Sequence, residues 1–127
     1  MKFKNVFLLV LIMVSFSFAQ VDSLWERTAE DGTLPSWFDT AHLTRGFAYG
    51  NVGGNDRLYV VSRNGGNNVY IMDALTGADV GSLSTVGVSG GTYHISDIDV
   101  SDDGVIFMCN LTTNSSTSAL KVYRWDS

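Results

Sequence analysis

The chain has 127 residues, 45% of them apolar, and a formal net charge of −5 from eight Lys and Arg against thirteen Asp and Glu. An acidic balance of this kind argues against nucleic acid or an anionic membrane as partner. A single cysteine, Cys109, rules out an internal disulfide.

The chain opens on a targeting pattern. Lys2 and Lys4 form a positive start, Val6 to Val14 is an unbroken apolar run extended by Phe16 and Phe18, and Ser17-Phe18-Ala19 sets small residues where a signal peptidase reads. Residues 1–19 are expected to be a signal peptide cleaved before Gln20, because the run is shorter than the ~20 residues of a membrane span. The expected location is secreted or at the cell surface, with no membrane contact after cleavage. Loss of Lys2 and Lys4 moves the net charge to −7.

Residues 20–43 carry Trp25, Trp37 and Phe38 among charges, broken by Pro35. This is expected to be an irregular lead-in strap that docks its aromatics on the first β-unit. Stacking of Trp25 or Trp37 on carbohydrate is the alternative to packing.

From Thr44 the pattern is β. A first unit over residues 44–84 begins with a short strand, Phe47 to Tyr49. A turn-rich loop from Gly50 to Asp56 leads to the strand Arg57 to Ser62. Asn64-Gly65-Gly66-Asn67 is a hairpin signal, since Asn and Gly tolerate positive φ. Asn68 to Met72 is a third strand, Asp73 to Gly77 a turn, and Ala78 to Leu83 a weaker fourth strand.

A second unit over residues 85–127 comes after the Ser/Gly-rich linker Ser84 to Gly91. Tyr93 to Val100 is its first strand, with Ile98 and Val100 alternating with Asp97 and Asp99 at period two. Ser101 to Gly104 is its hairpin, Val105 to Leu111 its second strand, Thr112 to Ser118 a polar loop and Ala119 to Trp125 its third strand.

The two units share a segment. Val69-Tyr70-Ile71-Met72-Asp73 returns, 53 residues on, as Val122-Tyr123-Arg124-Trp125-Asp126, each time after an apolar strand and a polar turn. A repeat of that length, made of short strands, is the mark of a β-propeller blade. The expected fold class is all-β, with β-propeller-like antiparallel four-stranded blades: 44–84 the first, 85–127 a second, truncated one. A closed propeller needs ~4–8 blades, so the reading is of an incomplete propeller whose remaining blades are missing from this chain.

Residues 44 to 126, and in particular Thr44-Arg45-Gly46-Phe47-Ala48-Tyr49, Asn110-Leu111-Thr112-Thr113-Asn114 and Val122-Tyr123-Arg124-Trp125, resemble an uncharacterised family of secreted bacterial proteins that share a domain of unknown function. The resemblance implies export and a propeller-like array. It brings no activity and no catalytic residue.

The candidate constellations are thin. Asp97 to Gly104 looks like a calcium loop, but an EF-hand needs Gly sixth and Glu twelfth, where Asp102 and Met108 stand. A looser Ca²⁺ site at Asp102 and Asp103 competes with a plain Asp-capped turn. His42 and His94 have no second His or Cys nearby in sequence, so zinc is unsupported; His94 is a candidate to face a propeller channel. Cys109, inside an apolar strand, reads as an inert thiol. Gly53-Gly54 and Gly65-Gly66 read as turns rather than phosphate loops, because no helix comes after either pair. Asn110-Leu111-Thr112 and Asn114-Ser115-Ser116 match the glycosylation triplet. Arg45, Arg63 and Arg124 stand at or beside strand ends, where propeller loops meet ligands. No catalytic, cofactor-binding or metal-binding residue is assigned.

The expectation is therefore an exported, non-catalytic binding or scaffold module of β-propeller type, with a protein or glycan as ligand. The alternative is a fragment of a secreted propeller hydrolase or lyase acting on sugars or lactones. Acidic or His residues facing inward at equivalent positions of several blades would mark that alternative.

Overall fold

A computed structural model of the chain describes residues 21–126; the expected signal peptide at residues 1–19 lies outside them. Among the described residues there is no helix. Seven strands, β1 (Thr44–Val52), β2 (Asn55–Ser62), β3 (Asn68–Asp73), β4 (Asp79–Leu83), β5 (Tyr93–Val100), β6 (Ile106–Leu111) and β7 (Val122–Trp125), form two antiparallel sheets. The first runs β1-β2-β3-β4 and the second β5-β6-β7, so the chain is all-β and neither sheet closes on itself.

The turns follow from their residues. Val52 pairs with Asn55 across Gly53-Gly54, whose φ values of 59° and 79° supply the two positive dihedrals of a tight hairpin. After β3, one carboxylate oxygen of Asp73 accepts hydrogen bonds from the amides of Leu75 and Thr76 and from the Thr76 hydroxyl, and Gly77 closes the turn.

β1 is longer than the expected Phe47 to Tyr49, and the stretch from Gly50 to Asp56 is hairpin rather than loop. The reason is packing. Gly46, Ala48 and Gly50 alternate along β1 on the face turned to β5. A Cβ on Gly46 would stand 2.9 Å from Asp97 Cα, and one on Gly50 2.7 Å from Val100 Cβ. These glycines mark a close approach of two backbones.

The core lies between the sheets. Ala48, Tyr59, Val61 and Val69 of the first sheet meet Ile95, Ile98, Ile106 and Met108 of the second. A register shift between Tyr93 and Asp97 lets Ile95 and Ile98, three apart, both face inward. Each such side chain is worth about 1.5–3 kcal/mol when fully buried. The sheets meet most closely where β1 lies on β5, with β2 beside it. Away from that seam the space is filled by large side chains, Tyr123 and Trp125, which are anchored to the linker. The Tyr123 hydroxyl donates to Ser89 O at 2.6 Å, and Trp125 Nε1 donates to Ser84 O at 2.9 Å.

β7 begins three residues later than the expected Ala119, because a side chain takes the place of the ladder. Asn110, 2% exposed, donates from Nδ2 to Ala119 O and accepts at Oδ1 from Lys121 N. Its buried amide holds the incoming chain, so the glycosylation triplet at Asn110 is a structural staple.

Candidate functional site

The lead-in strap, residues 21–43, contains no strand or helix and crosses the outer face of the first sheet. Aromatic and polar anchors fix it. The Trp37 ring stacks on Tyr70 of β3 with centroids 4.4 Å apart and planes 13° apart, and Phe38 stacks on Trp37. Ser62 Oγ donates to Trp37 O. Trp25 Nε1 donates to Ala74 O at 2.9 Å, and its ring lies so close on Gly77 that a Cβ there would be 2.6 Å away. Arg27 forms an ion pair with Asp79 at 3.1 Å and also donates to Gly77 O and Thr33 O. The strap is itself shaped by Asp31, whose carboxylate accepts from the Thr33 hydroxyl and amide; these bonds bring its pKa down to about 2.

Between strap and sheet the anchors leave a hollow of about 410 Å³. Its floor is the outward side of β1, β2 and β3, with Phe47, Leu58, Val60 and Met72. Its roof is Trp25, Leu34, Pro35 and Phe38. The polar groups at its margin are Arg27, Thr44 and Arg45. Arg27 is committed to Asp79. Arg45 is exposed and makes no hydrogen bond or ion pair among the described residues. The Thr44 hydroxyl is buried without a partner. The residues that line it include no carboxylate, histidine or cysteine.

A second hollow, about 340 Å³ and open, lies where β1 and β5 begin, lined by Leu43, Arg63, Gly66, Asn67, Thr92, Tyr93 and His94. Here the structure unites three residues the sequence singled out separately. The Arg63 guanidinium sits 3.8 Å over the Tyr93 ring and donates to the carbonyl of His42, the one non-glycine residue with positive φ among those described. His94 Nδ1 is 3.1 Å from Asn67 Nδ2. Two Arg63 nitrogens, Nε and Nη1, are buried without an acceptor.

The remaining candidates disperse. Asp97 and Asp99 each cap the next backbone amide of β5, Asp97 beside Thr44, Arg45 and Gly46, whereas Asp103 accepts from the Ser101 hydroxyl in the hairpin, which lowers its pKa. No group of three or more His, Cys, Asp or Glu that would hold a metal occurs among the described residues. Arg124 pairs with its neighbour Asp126 at the surface, and Cys109 is a half-buried free thiol on the outer side of β6. The other carboxylates with lowered pKa values, Asp56 (through the Tyr49 hydroxyl) and Asp73 (through the Thr76 hydroxyl), are turn and strand-edge groups outside both hollows.

Arg45 was visible in the sequence as a strand-end cation. The hollow beside it was not, because its roof comes from residues 25–38 and its floor from three strands that reach to Met72. Compared with known proteins, the chain matches no family model, no curated protein and no solved structure.

Proposed function

We propose that the chain is an exported, non-catalytic binding or scaffold module built from β-propeller-type repeats. One observation carries the reading: the two sheets correspond residue by residue in register and in facing. Tyr70 pairs with Val60, and Tyr123 with Met108; Ile71 pairs with Tyr59, and Arg124 with Phe107. Tyr70 and Met72 point to the strap, while Tyr123 and Trp125, their counterparts, pack on the core toward the first sheet. The strap thus occupies on the first sheet the position that the first sheet occupies on the second. Successive faces covered by successive units are what a propeller-type array requires.

The same register makes Phe107, Cys109, Val122 and Arg124 on the outer face of the second sheet the counterparts of Tyr59, Val61, Val69 and Ile71, which the second sheet covers on the first. Phe107 and Val122 are 38% and 64% exposed. A further repeat is the natural cover for that face, and loops at strand ends, such as those around Arg63 and His94, are where a protein or glycan ligand meets such an array.

Purified Gln20 to Ser127 tests this. It is expected to self-associate through the outer face of the second sheet, and the pair Phe107→Lys and Val122→Lys is expected to reduce the association. A wild-type monomer with a sharp cooperative melt would sink the array reading. Export is tested separately, by mass spectrometry of the secreted protein, where Gln20 should be the first residue.

A further inference from the structure

We propose that the hollow between strap and first sheet is a binding site for an amphipathic monocarboxylate, its apolar body on Phe47, Leu58 and Met72 and its carboxylate at Arg45. The inference goes beyond the array reading and does not depend on it.

Three features point the same way. The volume, about 410 Å³, lies within the ~300–1,000 Å³ of small-molecule sites and suits a medium-chain acyl body. Phe47 is 68% exposed although it stands on the hollow's floor, so apolar surface is available to be covered, and Leu34 and Phe38 of the roof are each more than a third exposed. The polar groups are asymmetric. Arg27 is saturated by Asp79, Gly77 O and Thr33 O, whereas Arg45 has no acceptor among the described residues and the neighbouring Thr44 hydroxyl is buried without one. With no carboxylate among the lining residues, the free charge at the margin is positive. A carboxylate beside Arg45 acquires a charge-assisted hydrogen bond, which is stronger than a neutral one. The Asp97 carboxylate, in an adjoining hollow that Thr44 and Arg45 also line, accepts from the Ile98 amide and forms no ion pair among the described residues.

The register places the two arginines apart. Thr44 pairs with Ser62 at one end of the sheet, whereas Arg27 is held at the β3–β4 turn at the other. An acyl chain lying across the floor thus meets, among the described residues, a single free cation.

Decanoate is a suitable probe, with decanol as its uncharged counterpart and decyltrimethylammonium as its opposite charge, each titrated by calorimetry into the chain. Saturable one-to-one binding of decanoate is expected, with decanol weaker and the ammonium weakest. Arg45→Gln, at an exposed position, should leave the thermal melt unchanged, weaken decanoate about tenfold, the worth of roughly one charge-assisted bond, and leave decanol unaffected. Leu34→Trp, which fills the hollow from the roof, should abolish binding of both. The proposal is overturned if decanoate does not saturate, if Arg45→Gln binds it as well as wild type, or if Leu34→Trp leaves affinity intact. Association of the chain seen in the tests of the array has no bearing on these readouts, because the face involved there belongs to the other sheet.

Discussion

The first sheet has four strands and is packed on both faces, by the strap outside and by the second sheet inside. The second sheet has three strands, and among the described residues only its inner face is packed. The sequence repeat makes the two alike in register. The difference therefore lies in what surrounds them. The two middle strands of the first sheet, β2 and β3, find apolar partners on either side, so Val60 and Met72, facing outward, are buried like Val61 and Val69, facing inward. In the second sheet Met108 is 1% exposed and its strand neighbour Phe107 is 38% exposed. Burial here is a property of neighbours rather than of strands.

The largest expected effect breaks the seam that joins the two. Gly50→Val places a branched side chain against the Val100 Cβ, which no rotamer change relieves. The cost should exceed the ~1–3 kcal/mol usual for overpacking, and cooperative unfolding should be lost in a thermal melt. Gly81→Ala on β4, where a Cβ meets nothing within 4 Å, should change stability by less than about 0.5 kcal/mol. Equal effects of the two substitutions would mean that the seam is not where the sheets are held.

Next comes the inner against the outer face of the second sheet. Met108→Ala should cost about 2–5 kcal/mol in denaturant unfolding. Phe107→Ala, one residue away on the opposite face, should cost less than Met108→Ala, since 38% of its surface stays in water in the folded chain. The ordering reverses only if something covers the outer face.

Trp37→Ala tests the cover on the first sheet. It removes the stack on Tyr70 and frees the middle of the strap, at about 2 kcal/mol. Limited proteolysis within residues 28–36 should accelerate, with the sheets' own amide protection little changed. An unchanged cleavage rate would show that Trp25 and Arg27 hold the strap without it.

The smallest effect is acid. Asp31, Asp56 and Asp73 belong to the strap and first sheet and have lowered pKa values, caused first by hydroxyl donors from Thr33, Tyr49 and Thr76 respectively; in the second sheet's hairpin Asp103 is lowered by Ser101. A lowered folded value means that the contribution is present above the unfolded value of 3.8 and is lost as pH falls through the folded one, which for Asp31 is about 2. Hydrogen exchange monitored from pH 5 down to pH 2 should show the strap losing protection as the pH falls from 3.8 toward 2, the window in which protonation of Asp31 removes its bonds to Thr33. Unchanged protection of the strap across that window would contradict the assignment of these bonds.

Local chemistry is what the sequence made legible. The period-two run at Ile98 and Val100, the Gly53-Gly54 hairpin and the Asp73 turn each depend on residues a few positions apart, so strands and turns were readable almost one by one. Gly46 and Gly50 misled, because a glycine in a strand and a glycine in a turn look alike until the strand it must approach is known. Asn110 likewise looked like a surface acceptor until its distance from Lys121 was set by the β6–β7 pairing.

By itself, then, the sequence determined an all-β chain with two successive groups of strands behind a Trp-bearing lead-in, because alternation and turn residues are local. Only the tertiary structure decided which face of each sheet is covered. It also brought Arg63, Tyr93 and His94 together and left a hollow with an unpaired Arg45 beneath the strap. Those outcomes depend on contacts between residues tens of positions apart, such as Trp25 with Gly77 and Gly50 with Val100. No local pattern encodes them; they arise from how strands of fixed facing fill the space between backbones.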